Sequence, residues 1–203
     1  KDGKIDLLSR NSTWAMSREV DYGVTFAGIS YYDGQGFMVR RSRKVETALE
    51  LSGASVCVQS GTTTQLNLAD YFRANNMTFQ ELAFPNAAES IKAYGSGKCD
   101  VFTSDVSQLY AERLKLDKPD DHVILADIIS KEPLGPAVRQ GDDGWLMIVK
   151  WSYFAMLNAE ELGVGSKNIG QALTSAKPDV RRLIGVEGGY GEKIGLTNDW
   201  AAR

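Results

Sequence analysis

The sequence is short of the residues that build metal and redox centres: its 203 residues include one histidine and two cysteines. Structural zinc needs a cluster of about four nitrogen or sulfur ligands, so no zinc site is expected. Basic residues do not outnumber acidic ones, at 23 against 26. The net charge of −3 excludes the basic stripe with which a protein repays binding to a phosphate backbone. The one dense basic run, Arg40, Arg41, Arg43 and Lys44, reads as a solvated turn. No apolar run approaches the roughly 20 residues of a membrane-spanning helix, and no secretory signal is recognisable. The opening Lys1-Asp2-Gly3 reads as loop from within a longer protein. The lone His122 has no nucleophile spaced with it. It is expected at a solvated strand edge, where Asp120 and Asp121 could raise its pKa.

What is present is an ordinary globular composition, 43% hydrophobic and 24% charged, in a chain long enough for one large domain or two small ones. No internal repeat or low-complexity tract interrupts it. Its organising stretch is 55–64, an apolar strand that breaks at Gly61 into Thr62, Thr63 and Thr64 and then into a helix carrying Leu66, Leu68, Tyr71 and Phe72. Helix-opening amides are unpaired and lie at the positive end of the macrodipole, so such a turn can seat an anion. A plain strand-turn-helix connection with a threonine cap fits the same residues.

In chain order, 5–8 reads as a strand with Asn11, Ser12, Thr13 and Trp14 piled at its end, where open α/β sheets collect ligand groups. Arg18 follows, either in a surface ion pair or as a fork for a carboxylate. Residues 24–29 and 31–39 read as extended, with Gly34 and Gly36 as a hinge or an ordinary turn. A short helix at 45–51 precedes the organising stretch. Strands are expected at 79–84, 99–105 and 122–125, and helices at 87–94 and 106–116, with Leu109, Leu114 and Leu116 inward. The Pro- and Gly-containing segment 131–139 reads as a second crossing between lobes. One long helix covers 145–162, capped by Asp142 or Asp143 and ended by Gly163, and short helices cover 168–173 and 178–184. The Gly-rich tail 185–191 reads as loop.

Alternating strands and helices from 45 to 125 imply a parallel sheet with right-handed crossovers. Thr13, Arg18, Thr62, Thr63 and Asp105 can then gather on one edge. They offer a cationic fork and helix-end amides for a carboxylate, and a carboxylate for an ammonium, which together describe the head group of a free α-amino acid. Cys57 and Cys99 sit in short strand-like runs. Buried free thiols and a single disulfide are both compatible with their spacing.

Residues 5–18, 31–39, 56–64, 99–105 and 131–139, in combination, resemble the polar amino-acid solute-binding proteins of bacterial ABC importers, above all the general L-amino-acid-binding periplasmic subgroup. The resemblance covers essentially the whole chain. It implies a type II two-lobed clamp in which each lobe is an α/β unit with a mixed, mainly parallel sheet flanked by helices. Lobe I takes residues 1–33 and 136–203, and lobe II takes 34–135. Arg18, Thr13 and the Thr63 amide hold the ligand's α-carboxylate. Asp105, assisted by Asn11, accepts its α-ammonium, and Trp14, Gly61 and Thr62 line the site. The resemblance also implies a Cys57–Cys99 disulfide, the periplasm, a membrane permease as partner, a monomer and no cofactor. Relatives carry further chain before Lys1 and after Trp200, so lobe I is expected to be incomplete here. Two other functions fit the fold: an amino-acid-sensing receptor domain, and a dehydratase-type enzyme for which Glu132 and His122 are loose acid candidates.

Overall fold

A computed structural model describes residues 3–203. The elements run α1 (Met16–Tyr22), β1 (Val24–Phe26), β2 (Tyr31–Asp33), β3 (Gln35–Arg40), β4 (Ser55–Gln59), α2 (Thr63–Ala74), β5 (Gln80–Phe84) and α3 (Ala87–Gly95). They continue as β6 (Val101–Asp105), α4 (Val106–Arg113), β7 (His122–Ile124), β8 (Glu132–Leu134), β9 (Ala137–Arg139), α5 (Asp143–Leu162), α6 (Ile169–Ala172), α7 (Pro178–Leu183) and α8 (Tyr190–Lys193). The chain divides into two compact units. One is Tyr31–Leu134; the other joins the described residues up to Ser30 with Gly135–Arg203.

Unit Tyr31–Leu134 is built on a five-stranded sheet in the order β5-β4-β6-β3-β7. Strand β4 pairs in parallel with β5 and β6, whereas β3 runs antiparallel to both β6 and β7, so the sheet is mixed. Its inner strands β4 and β6 are mostly apolar on both faces because both faces are covered. Along β3 and β4, Phe37, Val39, Val56 and Val58 turn to one side, where they meet Leu68 and Phe72 of α2. Met38 and Cys57 turn to the other, against Ile91 and Tyr94 of α3 and Leu109 of α4. Leu68 and Phe72 stand four apart on one helical face and are both fully buried, which is worth about 1.5–3 kcal/mol each. Helix α3 starts at Asn86, whose side chain accepts the Glu89 N–H at 2.9 Å.

Cys57 and Cys99 form a disulfide, with Cα atoms 5.7 Å apart, tying β4 to the turn that enters β6. Strand β2 pairs antiparallel with β8, so the strands by which the chain enters and leaves this unit lie side by side.

Several local expectations change. His122 is buried, 7% exposed, with Nδ1 2.7 Å from the Tyr94 hydroxyl. Burial and the nearby Arg40 charge lower its pKa and outweigh Asp121, because the ring lies against Tyr94 of α3 rather than in water. The basic run is only partly solvated: Arg40 donates to the carbonyls of Tyr94, Gly95 and Cys99, satisfying the C-terminal end of α3, and Arg43 pairs with Asp100. Helix α4 stops at Arg113, which leaves Leu114 outside, 72% exposed. Residues 45–51 give only a 3-10 turn, Ala48–Leu51, begun by the Glu50 carboxylate accepting the N–H groups of Glu46 and Thr47. Gly34 and Gly36 make room rather than a bend: a Cβ on Gly34 would meet Ile128 Cγ2 at 2.3 Å, and one on Gly36 would meet Val106 Cγ2 at 2.8 Å.

In the other unit, β1 pairs antiparallel with β9, and residues 5–8 contribute a single bridge, Leu8 to Ala137, instead of a strand. Strand β1 ends at Phe26, short of the expected 29. Helix α5 is capped by Asp142, which accepts the Trp145 N–H at 2.8 Å, and ends at Gly163 in the left-handed conformation. Its Trp145, Leu146 and Val149 pack on Ala27 and Val138. Gly28 and Gly135 pass so closely that a Cβ on Gly135 would lie 1.9 Å from the Gly28 oxygen. Ala172, Val180 and Ile184 gather α6 and α7 into a small cluster, and the Gly-rich tail ends in α8 rather than running on as loop.

Candidate ligand-binding groups

In the unit containing α1, Arg18 Nη1 donates to the Thr13 carbonyl at 2.8 Å. That bond fixes one arm of the guanidinium and keeps the fork beside Thr13, itself buried at 6% exposure. Thr13 is placed by its neighbours: Ser12 O accepts the Gly135 N–H at 3.1 Å, and Ser12 N–H donates to Arg10 O at 2.7 Å. Trp14 stacks on Phe26 with ring centroids 5.4 Å apart, which leaves part of its face exposed. Asn11 is exposed. Arg18, Thr13, Trp14 and Asn11 therefore belong to one short segment, 11–18, braced by Phe26 of β1 and by Gly135, ahead of β9.

In unit Tyr31–Leu134, the strand β4 ends at Gln59 and the chain turns through Gly61, whose φ of 69° is a conformation other residues rarely adopt. Thr62 caps α2: its hydroxyl accepts the Gln65 N–H at 3.2 Å and donates to Gln59 O at 2.8 Å. The Gly61 N–H is taken by Gln65 Oε1 at 2.8 Å. Capping thus engages the Thr62 hydroxyl, the Gly61 amide and the Gln65 amide at the opening of the helix. Asp105 ends β6, buried at 5% exposure, immediately before α4. It stands opposite Gln35 in the β3–β6 ladder. Gln35, fully buried, donates through Nε2 to Thr64 O at 3.0 Å and to Thr103 Oγ1 at 2.9 Å, so it joins the first turn of α2 to the end of β6.

Sequence reasoning did not reveal which groups hold these elements. Glu132, a loose acid candidate on the sequence, is 1% exposed and accepts from Ser130 Oγ at 2.5 Å, Asn67 Nδ2 at 2.7 Å and Thr63 Oγ1 at 3.2 Å. Asp33 accepts the Gly34 N–H at 2.8 Å and the Ser107 hydroxyl at 2.5 Å. The available signal was an acid beside a glycine or proline in each crossing segment. The partners lie too far off in sequence for spacing to reveal them.

Among the described residues no helix is long and apolar enough to cross a membrane, and no three His, Cys, Asp or Glu side chains are grouped to hold a metal ion.

No family model matches the chain. It is 54% identical over 204 residues to the general L-amino acid-binding periplasmic protein AapJ of Rhizobium johnstonii, which covers 100% of this chain and 60% of that protein. It is 50% identical over 202 residues to the glutamate/glutamine/aspartate/asparagine-binding protein BztA of Rhodobacter capsulatus, covering 99% of this chain and 60% of that one. Among solved structures, an ABC transporter periplasmic binding protein from Brucella ovis with glutathione bound superposes with a TM-score of 0.94 at 51% identity. The match covers 98% of this chain and 63% of that one. The chain therefore spans about 60% of the length of the curated relatives it matches. The mixed α/β architecture is that of the type II periplasmic binding proteins.

Proposed function

We propose that this chain, which belongs over the stretch it spans to the amino-acid-binding periplasmic proteins of ABC importers, is the part of such a protein that recognises the α-amino-acid head group of its ligand. Arg18, with Thr13 and the Thr63 amide, holds the α-carboxylate. Asp105, with Asn11, receives the α-ammonium, and Trp14, Gly61 and Thr62 border the ligand. In this reading 1–33 and 136–203 form one lobe and 34–135 the other. The protein acts by a shift between open and closed populations, because only a closed form lets one ligand meet both sets of groups. It delivers its ligand, as a monomer, to a membrane permease.

One observation carries the reading. The ligands named for the relatives, whether L-amino acids in general, the acidic amino acids and their amides, or glutathione, have one chemical feature in common. Each presents a free α-ammonium beside a free α-carboxylate, glutathione through its γ-glutamyl end. The groups proposed here are complementary to that feature and to nothing further along the side chain, which supports a broad ligand range. The sequestration of Glu132 behind three donors supports a binding protein over an enzyme, because a general acid must reach its substrate. The periplasm, where the relatives work, is an oxidising compartment and suits the Cys57–Cys99 bond.

Titration calorimetry on the full-length protein with L-amino acids, their D-enantiomers, glutathione and an N-acetylated amino acid tests the proposal. The expected result is binding of several L-amino acids and glutathione, with the acetylated compound at least a hundredfold weaker. Equal binding of the acetylated compound overturns it.

A further inference from the structure

Two carboxylates placed directly opposite in an antiparallel ladder repel each other. Asp33 of β2 and Glu132 of β8 are such a pair, and Glu132 is buried. A buried carboxylate is tolerated only with hydrogen-bond donors, and the source of the donors is informative. Glu132 takes two of them from α2: Thr63 at its first position and Asn67 one turn later on the same face. Asp33 takes the Ser107 hydroxyl from the first turn of α4, the helix that follows Asp105. Both acids lie near helix N-termini, where the backbone dipole favours negative charge.

We propose that Asp33 and Glu132 are positioning residues for ligand binding: the strands by which the chain enters and leaves this unit each grip, through one carboxylate, the first turn of a helix bordering the ligand groups Thr63 and Asp105. The proposal rests on the reading of those two residues as head-group contacts. Glu132 also sets the polarity of Thr63. With the hydroxyl proton directed to the carboxylate, the oxygen faces other partners as an acceptor, suited to an ammonium, and carboxylate binding falls to the Thr63 N–H. Any change in β2 and β8 as the chain passes between units is transmitted to both helix starts by these bonds. The grip on the ligand then depends on the state of the two strands.

The test is a double-mutant cycle in the full-length protein, with L-glutamate as the probe and the dissociation constant as the readout. Glu132→Gln should raise the dissociation constant at least tenfold. In a Thr63→Val background, where no hydroxyl remains to be oriented, the same change should cost less than threefold. A merely structural role would instead lower the melting temperature and weaken binding equally in both backgrounds, and that result overturns the proposal. Asn67→Ala and Ser107→Ala alter side chains outside the core and keep the test open if Glu132→Gln does not fold. Each should raise the constant at least threefold, and unchanged affinity in both overturns the proposal. Arg18→Ala serves as the reference. If it abolishes L-glutamate binding while the positioning variants bind like wild type, this inference alone fails. If the wild-type protein binds no amino acid, the reading of function fails and removes this inference with it.

Discussion

Asp33 and Glu132 face each other across the β2–β8 ladder, yet their carboxylates are committed to different helices, Asp33 to Ser107 on α4 and Glu132 to Thr63 and Asn67 on α2. The same two strands therefore form the covalent passage of the chain and the anchorage of two helix N-termini.

Arg18→Ala should weaken amino-acid binding by about 2–5 kcal/mol, because a desolvated carboxylate would lose its fork. That corresponds to a dissociation constant roughly 30-fold to several thousandfold higher, measured by calorimetry. Affinity within threefold of wild type would remove Arg18 from the site.

Asp105→Asn should erase the preference for ligands that carry an ammonium. Wild-type protein is expected to bind an L-amino acid far more tightly than the matching α-keto acid, and the variant to bind both weakly and alike. A variant that still discriminates places the ammonium elsewhere.

The disulfide closes a sequence separation of 42 residues, for which loop-closure entropy gives about 4 kcal/mol of stabilisation. Cys57→Ala with Cys99→Ala should lower the melting temperature by roughly 8–16 °C at about 2–4 °C per kcal/mol. A shift below 3 °C would mean that the unfolded chain gains little freedom when the bond is absent.

His122 gives the stability a pH dependence of definite sign. Its folded-state pKa is lowered by burial, then by Arg40, with Arg113 adding to the effect and Asp121 opposing it. Below the ordinary value of about 6.5 the unfolded chain binds a proton that the folded chain resists, so stability falls as the pH drops through that value toward the folded pKa. Asp100 acts in a separate, more acidic window. Burial pushes its pKa up, but the N–H and hydroxyl of Ser55 and the charges of Arg43 and Arg40 hold it below the ordinary carboxylate value. Its contribution is present above that ordinary value and lost as the pH falls through the folded pKa. Urea unfolding between pH 7.5 and 5 should show a decline that His122→Gln flattens; the same slope in both proteins counts against this assignment.

Gly135→Ala should cost about 1–3 kcal/mol, because its Cβ would strike the Gly28 carbonyl at 1.9 Å and backbone cannot rotate away as a side chain can. Gly61→Ala, with open space around its Cβ but a φ of 69°, should cost less, through the backbone conformation alone. Thermal melts of the two variants rank them, and the reverse order would contradict the packing described.

What the sequence revealed was local. Thr62, Asp142 and Gly163 were legible as helix ends because capping depends on residues within three or four positions. The apolar cores of β4 and β6 were legible because both faces of a covered sheet read as one run. Long-range relations were not. The antiparallel placement of β3 beside β6 joins residues about 65 apart, and the bonds from Glu132 to Thr63 and Asn67 span 69 and 65 positions. His122 was misread for the same reason: its partner Tyr94 lies on another element, and nothing adjacent to a histidine announces burial. Among the candidate ligand groups, the segment 11–18 and the Gly61–Thr64 turn each stood out by themselves. The Gln35 bond to Thr64, on which the turn's placement depends, did not.

The nesting of one unit inside the other has a consequence for the order of events during synthesis. Tyr31–Leu134 is a continuous segment whose two ends meet at the Tyr31–Leu134 pair, so it has everything it needs once β8 has been made. Strand β1 is made earlier but finds its partner only when Ala137–Arg139 follows, so its pairing waits while a whole sheet assembles between the two halves of the ladder. The earlier half of that ladder is thus paired after the later-made sheet, and until then Ala27 lacks Val138 and Val149, against which it is buried.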